Sequence, residues 1–127
     1  ERLHRAMHRS VAALARAGCD VVVDHVLLEP RCARDLAAVL DGLDVVLVGV
    51  RCPAPVLAVR EQERADRTVG QALAQLRAVH AHGPYDVEVD TSVTDPGTAA
   101  VLVLDGVRRR RGHPALSGWP AGGADPA

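Results

Sequence analysis

The stretch Leu43–Val50, LDVVLVGV, is apolar on both faces once Asp44 is passed. A strand polar on neither face is covered on both sides, which is the condition of a parallel sheet with helices packed above and below it. Two further stretches share the strand character. CDVVVDHVLL, Cys19–Leu28, is a β-branched run that predicts a buried strand over Val21–Val26. YDVEVDTS, Tyr85–Ser92, alternates apolar and polar residues with the period of a half-buried strand.

Helical patterns fill the intervals. Leu3, Met7, Val11, Leu14 and Ala15 recur at helical spacing, and Gly18 stands where a left-handed C-terminal cap is wanted. Pro30 opens a helix carrying Leu36, Val39 and Leu40 inward, with Gly42 closing it. Pro53 starts another, APVLAVREQERADR, and RTVGQALAQLRAVHAH follows as a further helix ended by Gly83-Pro84. Asp95 is an N-cap residue with Pro96 behind it, leading a last helix through Arg111. The order helix, strand, helix, strand, helix, helix, strand, helix predicts an α/β fold with a parallel sheet joined by crossovers. The pattern predicts one folded unit over residues 1–111. The Gly/Pro-rich stretch 112–127 is expected to be a disordered tail.

Composition narrows the chemistry. Of 127 residues, 48% are hydrophobic and 24% charged, enough apolar material for a core. Trp119 and Tyr85 are the only aromatic residues, so that core must be built from Val, Leu and Ala. A net charge of −1 gives no electrostatic reason to expect nucleic acid or a membrane surface as partner. All 15 basic residues are arginine; a Schiff base or the lysine of a phosphate-binding loop cannot come from these residues. Cys19, Cys32 and Cys52 are widely spaced with no C-x-x-C, and a reducing cytoplasm is the expected setting. The sequence opens at Glu1 inside a helical pattern, which reads as the cut end of a longer domain.

Several constellations could carry chemistry. Asp24 ends an apolar strand pattern, and the carboxyl edge of an open α/β sheet is where ligands bind; Asp24 would otherwise cap a loop. Arg60 and Arg64 share a helix face, with Arg67 a short turn further. They are either a solvated face balanced by Glu61 and Glu63 or a clamp for phosphate oxygens, which guanidinium forks fit bidentately. His4 and His8 have the spacing of metal ligands on a helix but no third partner in the local sequence. His80 and His82 are expected to interact with the terminal carbonyls of their helix. Arg108–Arg111 reads as a helix terminus rather than a nucleic-acid patch, since no aromatic platform accompanies it.

Taken in order, ARAGCDVVVDHVLL, LDVVLVGVRCP, REQERADR and VHAHGPYDVEVDTS resemble chloramphenicol phosphotransferase and its relatives over roughly residues 1–107. Those are small P-loop kinases that move the γ-phosphoryl of ATP onto a hydroxyl. The resemblance implies that Arg60, Arg64, Asp66 and Arg67 match a lid of pattern R-x-x-x-R-G-D-R facing the ATP phosphates, with Ala65 in place of its glycine. It implies that Asp24 lies near Mg2+, that His25 replaces a second aspartate, and that Asp90 and Thr91 pass near the adenine. The family's G-x-x-x-x-G-K-[ST] loop and its catalytic aspartate would lie before Glu1. Of a strand order 2-3-1-4-5, this chain would hold only strands 3, 4 and 5.

The expected function is therefore ATP-dependent phosphotransfer to a hydroxyl of a small molecule, with ATP and Mg2+ as cofactors and with these residues inactive alone. The alternative is a non-catalytic α/β module that binds nucleotide or a partner protein, completed by strand-mediated pairing.

Overall fold

The computed structural model describes residues 2–64, 68–110 and 115–119. Helix α1, Arg2–Arg16, packs on α2, Pro30–Val39. Strand β1, Val48–Arg51, leads through α3, Ala54–Gln62, and α4, Gln71–Val79, to strand β2, Val87–Asp90. Helix α5, Pro96–Arg109, packs against β2, and a short 3-10 turn spans Ala115–Gly118. The two strands run parallel, with Val48 opposite Val87 and Arg51 opposite Asp90. A parallel pair needs a long crossover, and α3 with α4 supplies it.

The helix starts follow from local chemistry. Pro30 occupies the first turn of α2, where a missing N–H costs nothing. Asp95 accepts hydrogen bonds from the backbone N–H groups of Gly97 and Thr98, satisfying two of the four donors that a helix N-terminus leaves open. The expected single helix through Arg67 ends earlier, at Gln62, and its successor starts only at Gln71. Buried Glu61 explains the later start. Its carboxylate accepts from Gly70 N at 2.6 Å and Ala72 N at 2.8 Å, so it caps α4 from α3.

The core lies between α1, α2 and the 3-10 turn: Ala12, Ala33, Leu36, Leu40, Leu116 and Trp119. Ala12 and Ala33, each 1% exposed, let α1 and α2 approach closely. On α1 the sequence pattern is corrected. Leu3 is 80% exposed and Leu14 half-exposed, while His8 and Ala12 face inward. The ring of His8 displaces the leucines from the core because two polar partners, described below, await it there.

Two larger departures concern the strand and the tail. Val21–Val26 is not a strand; Val22 is fully exposed and Val21, Val23 and Val26 are exposed as well. A strand exists only through a ladder, and among the described residues no other strand runs beside this segment. It is instead tied by single contacts, His82 Nε2 donating to Leu27 O at 2.8 Å and His25 meeting His8. Residues 115–119 depart from the expected disorder by forming an ordered turn. Leu116 and Trp119 are each 4% exposed, and Trp119 Nε1 donates to Pro84 O at 3.0 Å. In a chain with two aromatic residues, the indole is the largest apolar surface available for burial, and that gain orders the turn. At Gly83 a Cβ would lie 2.5 Å from the indole, so the bare backbone lets the ring in.

Candidate functional site at the carboxyl edge of the parallel strands

The carboxyl ends of β1 and β2 bring together residues far apart in sequence. Thr91, just past β2, donates from its backbone N at 3.0 Å and from Oγ1 at 3.1 Å to Arg51 O at the end of β1. Arg60 reaches across from α3. Its Nη1 donates to Thr91 Oγ1 at 3.0 Å and its Nη2 to Thr91 O at 2.6 Å, and Nη1 lies 3.6 Å from Cys52 Sγ. The helix after β1 thus hands a guanidinium to the loop after β2. Such a contact closes the edge at which ligands of open α/β sheets sit.

Asp90 turns the loop. Its Oδ1 accepts from Ser92 N at 2.8 Å and Ser92 Oγ at 2.6 Å. The Ser92 hydroxyl bond and then the Ser92 backbone bond hold its carboxyl below the usual aspartate range against opposing desolvation, with the Arg60 charge a lesser pull. Alongside, Arg51 and Glu88 form a two-pronged pair, Nη2–Oε1 3.0 Å and Nε–Oε2 3.3 Å, with Arg51 stacked 5.4 Å from the centre of the Tyr85 ring. Arg64 is exposed, and its guanidinium has no hydrogen-bond or ion-pair partner among the described residues. Arg67, with Ala65 and Asp66, lies outside the described residues. Of the residues singled out from sequence, the fold therefore joins Arg60, Asp90 and Thr91.

Asp24 is exposed, and its carboxylate likewise has no hydrogen-bond partner among the described residues. Next to it lies a group the sequence pattern only half revealed. His8, 0% exposed, bonds through Nδ1 to Asp35 Oδ2 at 2.7 Å and through Nε2 to His25 Nε2 at 3.0 Å. The rings of His4 and His25 stand 5.4 Å apart, and His4 Nδ1 lies 3.6 Å from Cys32 Sγ. Arg5 and Arg9 flank Asp35 at 3.4 and 3.7 Å. The spacing of His4 and His8 signals one shared helix face; nothing local points to Asp35 or His25, which arrive by the packing of α2 and of the segment before it. No set of three His, Cys, Asp or Glu side chains among the described residues is arranged to hold a metal ion.

His80, His82 and Arg108–Arg110 make contacts within the fold, while Arg111 lies outside the described residues. His80 Nδ1 donates to the Tyr85 hydroxyl at 2.8 Å, and that hydroxyl donates to Val79 O at 3.1 Å, so Tyr85 rather than His80 reaches the carbonyl at the end of α4. His82 serves Leu27 and not its own helix. Arg108 and Arg109 pair with Asp105, and Arg110 ties α5 to Val45 O at 2.7 Å and to Asp44. No helix among the described residues is long and apolar enough to cross a membrane.

A family model described as "Chloramphenicol phosphotransferase-like protein" matches residues 1–108. Two Mycobacterium tuberculosis proteins, from strains CDC 1551 / Oshkosh and ATCC 25618 / H37Rv, are each 37% identical over 95 residues, 72% of this chain and 42% of the relative. They carry the names "Putative O-phosphotransferase MT2714" and "Putative O-phosphotransferase Rv2636". The chain spans less than half the length of these curated relatives. With a family model covering most of its length, the chain belongs to the chloramphenicol phosphotransferase-like family.

Proposed function

We propose that this chain supplies the arginine and nucleotide-edge side of a site that transfers the γ-phosphoryl of ATP to a hydroxyl of a small molecule. The observation that carries this is Arg60, held by Thr91 across the carboxyl edge of two parallel strands, with exposed Arg64, unpartnered among the described residues, just past the end of α3. In the loose transition state of phosphoryl transfer the equatorial oxygens carry the charge, and catalysis is positioning plus neutralisation. Arg64 has no partner for its donors among the described residues and can offer them to those oxygens. Arg60 spends two on Thr91 and fixes the loop along which the adenine would lie.

Asp24 fits Mg2+, since the carboxylate is exposed and its oxygens have no hydrogen-bond partner among the described residues. Magnesium accepts one or two carboxylates and completes its shell with phosphate oxygens and water. Bound MgATP would supply the transferable phosphoryl and the bridging charge; the chain's own residues orient it. The missing ladder at Val21–Val26 supports taking this segment, β1 and β2 as strands 3, 4 and 5 of the order 2-3-1-4-5. In that order 4 and 5 are neighbours, as β1 and β2 are, while strand 3 pairs only with 1 and 2.

These 127 residues contain no lysine and no G-x-x-x-x-G-K-[ST] pattern, so the reading requires a phosphate-binding loop from outside them. The test is an ATP-consumption assay across hydroxylated acceptors. It compares these residues alone with the polypeptide encoded by the full reading frame around them. Transfer by the longer polypeptide alone is expected. Transfer by these residues alone, or none by a longer polypeptide that carries the loop, overturns the reading. The exposed Val21–Leu28 segment favours the second reading, a non-catalytic nucleotide-binding or interaction module, which predicts partner or nucleotide binding without transfer.

A further inference from the structure

The exposed side of α1 carries charge that the described residues do not balance. Arg2, Arg5 and Arg9 line an open groove of about 640 Å³, with the small side chain of Ala6 between them. Spacings of three and four residues put these arginines on one helix face, where like charges repel. The fold sets a single carboxylate against them. Asp35, on α2, has its side chain only 15% exposed; its Oδ1 lies 3.4 Å from Arg5 Nε and 3.7 Å from Arg9 Nη1, and its Oδ2 is taken by His8. Both approaches are longer than a usual hydrogen bond, so Asp35 draws the two guanidinium groups together by charge and leaves most of their donors unspent. Arg9 Nη1 donates to Arg5 O at 2.9 Å. The terminal nitrogens of Arg5 and the whole guanidinium of Arg2 have no partner among the described residues. Three guanidinium groups against one carboxylate leave two positive charges along the groove.

We propose that the groove lined by Arg2, Arg5 and Arg9 binds a soluble small molecule through a phosphate monoester group. Such a group carries about −1.5 to −2 charges near neutral pH, which matches the two uncompensated positive charges. Its oxygens fit guanidinium forks two at a time. Small-molecule sites span about 300–1,000 Å³, so the groove has room for the body of the ligand beside its phosphate, against the apolar stems of the arginines. A nucleic-acid backbone is a poorer match, because it offers one charge per phosphate and a chain of net charge −1 has no broad attraction for it. The inference stands apart from the phosphotransfer reading, since it uses only α1 and Asp35.

The test titrates the chain with glucose 6-phosphate in low-salt buffer free of other phosphate, following the arginine Nε–H signals by 1H–15N spectroscopy. The signals of Arg2, Arg5 and Arg9 should shift together and saturate, and glucose alone should leave them in place. Arg2→Gln and Arg5→Gln should each weaken binding by about tenfold or more, the loss of a charged hydrogen bond. Arg108→Gln removes an equally exposed arginine that pairs with Asp105 on α5 and should bind as wild type does. Each of these changes lies on the surface, and an unaltered circular dichroism spectrum shows that the variant is folded. Shifts confined to Arg60 and Arg64, or equal affinity for wild type and Arg2→Gln, overturn the inference. Two further results also overturn it: an oligonucleotide that binds more tightly than the sugar phosphate and is weakened equally by Arg108→Gln, and capture by phosphatidate vesicles in preference to the soluble ester.

Discussion

Removing Trp119 should destabilise this chain more than any other single truncation outside the α1–α2 contact. The indole is 4% exposed, donates to Pro84 O at 3.0 Å and stands 5.8 Å from the His82 ring, which in turn holds Leu27. Trp→Ala in a core costs about 3–5 kcal/mol, against a typical domain stability of about 5–15 kcal/mol. For a unit of this size each kcal/mol moves the midpoint by about 4–8 °C, so Trp119→Ala should lower Tm by at least about 12 °C. Thermal melts followed by far-ultraviolet circular dichroism measure this. Wild-type emission gives an independent check, because Trp119 is the sole tryptophan and should emit as a buried indole. Truncation after Arg111 removes Leu116 and Trp119 together and should cost at least as much as the substitution. A truncated chain melting within a few degrees of wild type, with wild-type emission resembling free tryptophan, would refute the burial and restore the disordered tail from residue 112.

Three further outcomes follow from the site and its supports. Arg64→Ala should leave stability within about 0.5 kcal/mol, as expected for a surface residue with no partner among the described residues. It should weaken ATP binding by the active polypeptide about tenfold or more, the loss of a charged hydrogen bond; unchanged nucleotide affinity by calorimetry removes Arg64 from the clamp. Glu61→Ala leaves the Gly70 and Ala72 N–H groups without their acceptor and should cost about 1–3 kcal/mol, read as a lower urea midpoint. A midpoint equal to wild type would mean that α4 is capped by other means. The carboxyls of Asp90 and Asp95 are held low first by hydroxyl hydrogen bonds from Ser92 and Thr98, and that of Glu88 first by its bond to Arg51. A depressed folded pKa means that the unfolded chain binds more protons on the acid side. The contribution is therefore present above the unfolded values near 4 and lost as pH falls through the folded ones. Tm should drop steadily below about pH 4; a flat profile there would sink the assignment.

Much of the architecture is local and hence legible. LDVVLVGV contributes β1 over its last three residues, though Val50 stays 57% exposed; alternation in YDVEVDTS gives β2; Asp95 caps α5 as its side-chain chemistry requires. Family resemblance assigned Arg60, Asp90 and Thr91 to one nucleotide site, but the direct bond from Arg60 to Thr91 spans 31 residues and is not legible from spacing. Glu61 was legible only as a charge in a charged helix, though it is buried and caps the next one. In the same way, His8 hid among helical periodicity: its polarity argues for solvent, and only Asp35 and His25 make its burial affordable.

What the sequence by itself determined is the parallel α/β class, the existence of β1 and β2, and the absence of a lysine-bearing phosphate loop from these residues. Side-chain period, capping chemistry and composition are properties of short windows, so they survive any packing. The tertiary structure decided the rest. Val21–Val26 has every local mark of a strand, yet a strand is a relation between two backbones, and no partner strand is present among the described residues. The turn at Ala115–Gly118 has every local mark of disorder, yet Trp119 finds a pocket against Pro84 and His82 whose burial outweighs the cost of ordering it.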